Sequence, residues 1–264
     1  MPEGPSLIIA KEEMQAFKGK KILAVSGNTK IEKERLVNKK LLDIKTWGKH
    51  LLFCFDKFTL KVHFLMFGKY MVNQKKETAA RLQLQFKNGE INLYTCSVKF
   101  IEEPLDEIYD WSADVLSDAW DPKKARKKLL LMPDTLVTDA LLDQHIFSGV
   151  GNIIKNEVLY RIKVHPASTI GSLPPRKLSE LIKEARNYSF DFLKWKKEYT
   201  LRKHWLAHTK KTCSRDGHKI IKEYLGVTKR RTFFCPECQI LYKTETARVR
   251  KLISSKEKTT RKAS

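Results

Sequence analysis

Several stretches of the first hundred residues alternate between hydrophobic and polar positions. In residues 58–64, FTLKVHF, hydrophobic side chains take every second position, and residues 81–86, RLQLQF, repeat the pattern. A period of two indicates strands with one buried and one exposed face. The hydrophobic run HLLFCF at 50–55 suits a strand that is buried on both faces. We therefore predict an antiparallel β-sandwich of two packed sheets within residues 1–115.

Helical spacing flanks these strands on both sides. Residues 5–18, PSLIIAKEEMQAFK, predict an N-terminal helix, and hydrophobic residues recur every three or four positions from about residue 112 to 197. One such set is Leu178, Leu181, Ile182 and Ala185. The pattern predicts an α+β protein whose strands and helices separate near 110–125. Its further segments would be a helical domain at 125–205, a cysteine-containing segment at 206–242 and a flexible basic tail at 243–264.

The charge balance indicates a polyanionic partner. Lys and Arg number 52 against 30 Asp and Glu, a net charge of +22 in 264 residues. Nucleic acid is the first expectation for such a balance, and an anionic membrane or a merely basic surface are the alternatives. No hydrophobic run approaches the ~20 residues of a membrane span, and we see no secretory signal pattern. We therefore expect that the protein is not secreted. In a prokaryote it would be cytoplasmic and associated with the nucleoid, and in a eukaryote it would be nuclear.

Three of the five cysteines belong to a pattern that predicts a zinc site. With one histidine they read C-x4-H-x16-C-x2-C, which supplies the four ligands of a closed structural site. The predicted ligands are Cys213, His218, Cys235 and Cys238. The C-x4-H pair is the less certain half, since His208 or His204 could take the place of the histidine, and a coincidence of free thiols is the remaining alternative. The residues between the pairs can form a hairpin that turns at 225–226.

A glycine-rich turn, SGVGN at 148–152, separates two predicted helices. The first would end near Phe147, and the second would run to about Arg161 with Asn152 as its N-cap. The free N–H groups at the start of the second helix would suit an anion such as a DNA phosphate. An ordinary helical hairpin with a glycine turn explains the same residues.

The first seven residues, MPEGPSL, also allow two interpretations. Pro2 fixes φ before a helix, and the Glu3 carboxylate favours the positive end of the helix dipole. Taken alone, this stretch predicts no more than the start of a helix.

Four motifs, in this order and at this spacing, resemble those of the formamidopyrimidine-DNA glycosylase and endonuclease VIII family. They are PEGP at 2–5, GK at 48–49, LLDQ…SGVGNIIKNEVL at 141–159 and RRTFFCPECQ at 230–239. The resemblance covers the chain from Pro2 to about Gln239. It implies a β-sandwich, a helix–two-turn–helix domain and a C-terminal zinc finger, with double-stranded DNA bound in the cleft between them as a target for base-excision repair.

The resemblance implies a chemical role for the opening residues. Once Met1 is removed, Pro2 would present a secondary amine, which attacks C1′ of a damaged nucleoside, expels the base and forms an imine. An α-amino group has a pKa near ~8, so part of it is unprotonated at neutral pH. β- and δ-elimination would then cleave the strand. Glu3 would protonate the sugar ring oxygen, and Lys49 would hold a phosphate beside the lesion and assist the chemistry.

The resemblance also implies which residues hold the DNA. Asn152 and Arg230 would bind phosphates near the flipped nucleotide, and Met66 would be the wedge that fills the space it leaves. The family's usual finger has four cysteines, and we expect His218 to replace one of them around a single structural zinc ion. The architecture needs no partner subunit, so we expect a monomer.

Departures from the family pattern bear on the substrate. Ser6 stands where a glutamate is usual, which puts a supporting contact in doubt. Val98 stands where the purine-directed branch has an arginine, and the segment at 205–213 leaves little room for a lid over 8-oxoguanine. We therefore expect oxidised pyrimidines as substrates. The alternatives are the same chemistry on 8-oxoguanine or formamidopyrimidines, and a zinc-finger nucleic-acid-binding protein without catalysis.

Overall fold

A computed structural model describes residues 2–243, so the predicted basic tail lies outside the described residues except for Lys243. The chain opens with a helix, α1, at Gly4–Glu13, followed by a short 3-10 turn at Gln15–Phe17. The predicted helix at 5–18 is thus confirmed in position but ends earlier. Six strands follow: β1 at Ile22–Ser26, β2 at Asp43–Trp47, β3 at His50–Cys54, β4 at Thr59–Val72, β5 at Leu82–Phe86 and β6 at Gly89–Ile101.

The six strands form one continuous antiparallel sheet in the order β1-β5-β6-β4-β3-β2. The long strands β4 and β6 run through its middle, and their register shifts between Phe64 and Lys69. Side chains from both ends of the sheet, such as Ile44 of β2 and Leu84 of β5, share one buried core with Leu7 of α1. The predicted antiparallel sandwich is confirmed, and its two layers are parts of a single sheet that folds over this core.

A helical domain follows the sheet. Its helices are α2 at Leu105–Ile108, α3 at Pro122–Leu130, α4 at Val137–Ala140, α5 at Asn152–Arg161 and α6 at Pro175–Lys197. Asp121 begins α3 by accepting hydrogen bonds from two N–H groups of its first turn, and Pro122 takes a position that needs no N–H. The predicted apolar face of α6 is confirmed, since Leu178, Leu181, Ile182 and Ala185 are all buried in the helical core.

The prediction of a helix that ends near Phe147 is wrong in the length of the helix. Helix α4 has only four residues, and hydrogen-bonded turns carry the chain from there to α5. Side chains in this stretch bond to nearby backbone: Asp143 accepts from the His145 N–H, and Gln144 donates to the Leu142 carbonyl. Such local bonds compete with the helical pattern, which is why the hydrophobic spacing overstated the helix.

The cysteine-containing segment includes a two-stranded hairpin between its cysteine pairs, as predicted. Its strands are β7 at Ile221–Leu225 and β8 at Arg230–Phe234, and they pair in antiparallel register across the turn 226–229. Strand β8 packs against α5. None of the helices between residues 2 and 243 is long and apolar enough to cross a membrane.

Candidate active site

The start of α1 lies against the start of α5, and Glu3 joins them. Its side chain is only 2% exposed. The carboxylate accepts hydrogen bonds from the N–H groups of Gly151 at 3.1 Å, Ile153 at 2.7 Å and Ile154 at 3.2 Å. These are N–H groups without partners inside the helix, and the helix dipole favours negative charge at this end. The N-terminus of α5 therefore holds a carboxyl group of the protein itself.

Glycines allow this close approach. A Cβ atom on Gly151 would lie 2.4 Å from Glu3 Cδ, far inside van der Waals contact. A Cβ atom on Gly4 would lie 2.9 Å from the Cα of Gly149, whose carbonyl accepts the Gly4 N–H at 2.9 Å. The backbones of the PEGP and SGVGN motifs are thus in direct contact with each other.

Lys49 enters the same region from the turn between β2 and β3. The preceding Gly48 has φ +52°, and a Cβ there would lie 2.0 Å from Ser148 Oγ. The Gly48 N–H donates to Oδ2 of the buried Asp114 at 2.8 Å. The turn that carries Lys49 is therefore fixed against the SGVG loop, although 100 residues separate them.

Burial changes the acid–base properties of both groups. Burial raises the pKa of Glu3, against the opposing effects of Lys49 and of the three N–H donors. Burial lowers the pKa of Lys49 to about 8, with Glu3 raising it and Arg230 lowering it further. Two groups of opposite charge type thus have pKa values shifted toward neutrality in one place, the condition for proton transfer near pH 7.

A cavity of about 670 Å³ opens beside Pro2. Strand β4, helix α6 and the segment after α6 form its walls. Its lining includes the aromatic residues Phe64, Tyr70, Phe192, Tyr199 and Trp205. It also includes four cations, Lys69, Lys196, Arg202 and Lys203, and none of the lining residues carries a carboxylate. The cavity can accept a flat, polar ring attached to a phosphodiester backbone.

The structure brings the predicted DNA-binding residues of α5 and the hairpin together. Asn152 is the first residue of α5, and Gly151 is the N-cap, so the prediction of Asn152 as N-cap is wrong by one position. The Asn152 Nδ2 group donates to the carbonyl oxygen of Arg231 at 2.8 Å. The exposed Arg230 begins β8 and lies near enough to lower the pKa of Lys49.

Met66 lies where the pairing of β4 with β6 is interrupted, and its side chain is 55% exposed. Its neighbour Phe67, which lies in no predicted site, is more exposed, at 77%. Thr95 on the opposing strand has a positive φ of 49°. Because the register is irregular here, consecutive apolar side chains are exposed to solvent. In the sequence, the run FLMF at 64–67 breaks the period of two, and this break was the signal that could have predicted the irregularity.

The three predicted cysteines converge at the base of the hairpin, but the fourth group there is Asp216. The ligand atoms of Cys213, Asp216, Cys235 and Cys238 all lie within 4.8 Å of one another. His218 is outside this group: its side chain is 59% exposed and its Nδ1 lies 3.4 Å from Asp216 Oδ1. Asp216 follows Cys213 by three residues, the same spacing as in the CPEC pair. The role of His218 as fourth ligand stays a prediction.

The cluster fits a zinc ion. The sulfur atoms of Cys213 and Cys238 lie 3.8 Å apart. A tetrahedron with Zn–S bonds of ~2.3 Å has edges of about 3.8 Å. Cys235 Sγ lies 3.2 Å from Asp216 Oδ2, so a carboxylate oxygen lies where it could be the fourth ligand beside the three sulfur atoms. All three cysteines are free thiols rather than disulfides.

Two residues that sequence reasoning missed hold the site together. Asp114 fixes the Lys49 turn, and its Oδ1 also accepts from the Leu116 N–H. Gln144 spans the glycine-rich loop: its Oε1 accepts from the Gly149 N–H, and its Nε2 donates to the Val150 carbonyl. The motif LLDQ contained Gln144, but Asp114 lies in no motif that we recognised.

Comparison with known proteins identifies the class. Residues 1–101 match the N-terminal domain model of formamidopyrimidine-DNA glycosylase, and residues 112–189 match the H2TH domain model of the same enzyme. The chain therefore belongs to the formamidopyrimidine-DNA glycosylase and endonuclease VIII family of base-excision-repair DNA glycosylases, as the four motifs predicted.

Individual relatives support the same assignment. The chain is 32% identical over 209 residues to Endonuclease 8-like 3 of Xenopus laevis, covering 74% of this chain and 34% of that protein. It is 30% identical over 237 residues to formamidopyrimidine-DNA glycosylase of Lactobacillus gasseri, covering 80% and 85%. A crystal structure of Lactococcus lactis Fpg with DNA containing an oxidized pyrimidine superposes with a TM-score of 0.78 at 25% identity, covering 90% and 99%. The chain thus spans about a third of Endonuclease 8-like 3.

Proposed function

We propose that this protein is a bifunctional DNA glycosylase and AP lyase whose nucleophile is Pro2. The observation that carries the proposal is that Pro2 lines the basic cavity and is joined directly to Glu3, the buried carboxyl group at the start of α5. With Met1 removed, the proline nitrogen is a secondary amine with a free lone pair. It attacks C1′, the C1′–base bond breaks, and the base leaves with the electron pair and takes up a proton.

Glu3 is the proposed acid and base of the reaction. Its raised pKa, caused by burial, favours the protonated form, which can donate to O4′ as the sugar ring opens and the imine forms. The imine acidifies C2′–H. Loss of that proton expels the 3′ phosphate in β-elimination, and a second elimination expels the 5′ phosphate. The three N–H donors from α5 hold the carboxylate between these steps.

Lys49 and Arg230 are the proposed phosphate ligands at the lesion. They lie within electrostatic range of one another, and both would be paired by the negative charge that DNA brings. Asn152 begins the helix beside them and is held to the hairpin through Arg231. This arrangement supports binding of the strand that carries the flipped nucleotide.

Double-stranded DNA with damaged bases or abasic sites is the proposed partner. The net charge of +22 favours salt-dependent binding along DNA. Met66 is the proposed wedge in the duplex. A zinc ion, held by Cys213, Cys235 and Cys238 with Asp216 or His218, would stiffen the base of the hairpin and take no part in the chemistry.

Oxidised pyrimidines are the proposed substrates. Endonuclease 8-like relatives support this choice. Lactococcus lactis Fpg favours neither substrate, because its structures include one with an oxidized pyrimidine and one with N7-Benzyl-Fapy-dG. Val98, in place of the arginine of the purine-directed branch, supports the choice of oxidised pyrimidines as well, as does the short segment at 205–213. The name of the Lactobacillus gasseri relative favours the runner-up, excision of 8-oxoguanine and formamidopyrimidines.

An excision assay tests the proposal. End-labelled duplexes would carry thymine glycol, dihydrouracil, 5-hydroxycytosine, 8-oxoguanine or an abasic site. We expect cleavage at the pyrimidine lesions and the abasic site, with phosphate at both ends of the gap, the product of β,δ-elimination. Fastest cleavage at 8-oxoguanine would replace the proposed substrate by the runner-up. Binding without cleavage of any duplex, by protein that mass spectrometry shows to start at Pro2, would leave a DNA-binding protein without catalysis.

A further inference from the structure

Helix α5 contains a lysine that the proposed chemistry does not use. Lys155 is fully buried, with 0% exposure, in the helix whose first residue is Asn152. Lysine is almost never buried to this extent without a partner, because its ammonium group loses its hydration. Its Nζ donates a hydrogen bond to Oγ1 of Thr232 in strand β8 at 2.8 Å. A leucine or methionine would fill the same volume at no such cost, so the amino group itself needs an explanation.

The hydrogen bond of Lys155 continues into the backbone of Arg230. Thr232 is itself buried, at 1% exposure, and its Oγ1 donates to the carbonyl oxygen of Arg230 at 3.0 Å. A hydroxyl group has a single hydrogen, so the threonine oxygen gives it to Arg230 and receives one from Lys155. The direction of both bonds is therefore fixed, and Lys155 orients the peptide group of Arg230 through one intervening side chain.

Two more side chains on the same face of α5 hold the adjacent backbone. Asn152 donates to the Arg231 carbonyl at 2.8 Å, and Asn156 Oδ1 accepts from the Phe233 N–H at 3.4 Å. Positions 152, 155 and 156 are three and four residues apart, so they share one helical face. The helix that holds Glu3 at its N-terminus therefore also holds strand β8 across three successive positions.

We propose that Lys155 is a positioning residue that fixes Arg230 in register with the Glu3 end of α5, so that a phosphate and the reacting sugar are held at a set distance. The inference rests on the proposed function, in which Arg230 binds a phosphate at the lesion. Lys155 touches neither the DNA nor the reacting atoms, and it acts through Thr232.

The charges around Lys155 make its role depend on DNA. Burial lowers the pKa of Lys155 to about 7, with Asp139 of α4 and Glu3 raising it and Arg230 lowering it. His208, packed against the same helix, has a pKa lowered to about 4 by its burial, with Arg231 and Lys155 adding to the effect, so it is neutral at pH 7. A phosphate on Arg230 offsets the repulsion and favours the ammonium form. DNA binding should therefore take up a proton at Lys155.

Salt dependence of DNA binding separates a positioning role from a structural one. Loss of one phosphate contact lowers the slope of log Kd against log salt by about 0.9. The Kd of the full chain with its metal would be measured at several salt concentrations on a duplex that carries a tetrahydrofuran abasic analogue. The proteins compared would be wild type, Lys155→Met, Thr232→Val, Arg230→Ala and the double variant Lys155→Met/Arg230→Ala. We expect each single variant to lose about one unit of slope, and the double variant to lose no more than Arg230→Ala alone.

Controls keep the result specific to this contact. Lys177→Met removes a half-buried lysine of α6 that bonds the Ile162 carbonyl at 2.7 Å, outside the site, and should retain the wild-type slope. Zinc content and melting temperature establish that Lys155→Met is folded. Thr232→Val is nearly isosteric and keeps the proposal testable if Lys155→Met is not folded. The wild-type affinity should fall as pH rises through 7 more steeply than that of Lys155→Met.

The outcomes distinguish the two proposals. If Arg230→Ala lowers the slope and folded Lys155→Met does not, Lys155 has no positioning role and the proposed function stands. If Lys155→Met weakens binding equally with and without Arg230, it acts independently of that residue and the inference is overturned. If Arg230→Ala leaves the slope unchanged, the phosphate contact of the proposed function is wrong, and the inference fails with it.

Discussion

Replacing Gly151 by alanine should slow the reaction strongly, although Gly151 itself takes no part in the chemistry. Gly151 has φ −123° and ψ −162°, extended backbone that alanine adopts without strain. The added Cβ would lie 2.4 Å from Cδ, 2.5 Å from Cγ and 2.6 Å from Oε1 of Glu3. Carbon atoms in contact are separated by about 3.5–4.0 Å, so the carboxyl group must move by roughly 1 Å.

A displacement of this size separates Glu3 from its hydrogen-bond donors. The bonds to Gly151, Ile153 and Ile154 now measure 2.7–3.2 Å and would lengthen or break. Misplacement of a catalytic group by about 1 Å costs on the order of 100-fold in rate. That loss corresponds to about 2.7 kcal/mol of transition-state stabilisation. We therefore expect the single-turnover rate of base excision to fall about 100-fold in Gly151→Ala, while DNA affinity changes little.

Single-turnover excision of dihydrouracil, with Kd measured on an uncleavable duplex, is the assay. Gly19→Ala is a suitable control, because a Cβ at Gly19 meets nothing within 4 Å, although its φ of +79° adds strain. The control should keep the wild-type rate at a slightly lower melting temperature. A folded Gly151→Ala protein with wild-type turnover would refute the assigned position of Glu3 in the chemistry.

Four further predictions concern the separate parts of the site. Arg230→Ala should weaken binding of lesion DNA about tenfold yet still form the imine, which a gel-shift titration and an adduct assay would check. Cys238→Ser should lose the zinc ion and melt the hairpin, and full zinc occupancy by metal analysis would disprove the ligand set. Phe67→Ala should slow excision from duplex DNA as Met66→Ala does, with both restored toward wild type on single-stranded substrate. Folding lowers the pKa of Lys49 to about 8, so the native state loses that proton at a lower pH than the unfolded state does. The free energy of unfolding should therefore rise with pH between about 8 and 10. Urea titrations should show a flatter rise in Lys49→Met.

The sequence pattern predicted most of the fold because burial on one face leaves a regular period. The alternation at 58–64 and 81–86 identified strands β4 and β5, and the spacing from Leu178 to Ala185 identified the buried face of α6. The pattern failed where local hydrogen bonds override it. Gln144 binds the backbone of its own loop, and α4 ends after four residues although the hydrophobic spacing continues.

The site could be predicted only in part, because contacts between distant segments leave no local signal. Pro2 and Glu3 gained a role from the family resemblance, but the burial of Glu3 against α5 follows from a junction of glycines that only the fold assembles. The sequence did not suggest Asp216 as a candidate ligand, because CSRDGH contains a histidine, the better-known zinc ligand, two residues further on. Lys155 looks like any lysine of a helix, and only the packing of β8 shows that it is buried.

Borohydride trapping tests the central claim most directly, namely that Pro2 is the nucleophile. The purified protein, shown by mass spectrometry to start at Pro2, would be mixed with duplexes that carry dihydrouracil, 8-oxoguanine, an abasic site or no lesion. The account predicts a covalent adduct with dihydrouracil and with the abasic site, and none in Pro2→Thr that is folded and binds DNA. An undiminished adduct in Pro2→Thr, with peptide mapping that places the cross-link away from residue 2, would assign the nucleophile to another residue. No adduct with any duplex would contradict imine chemistry altogether.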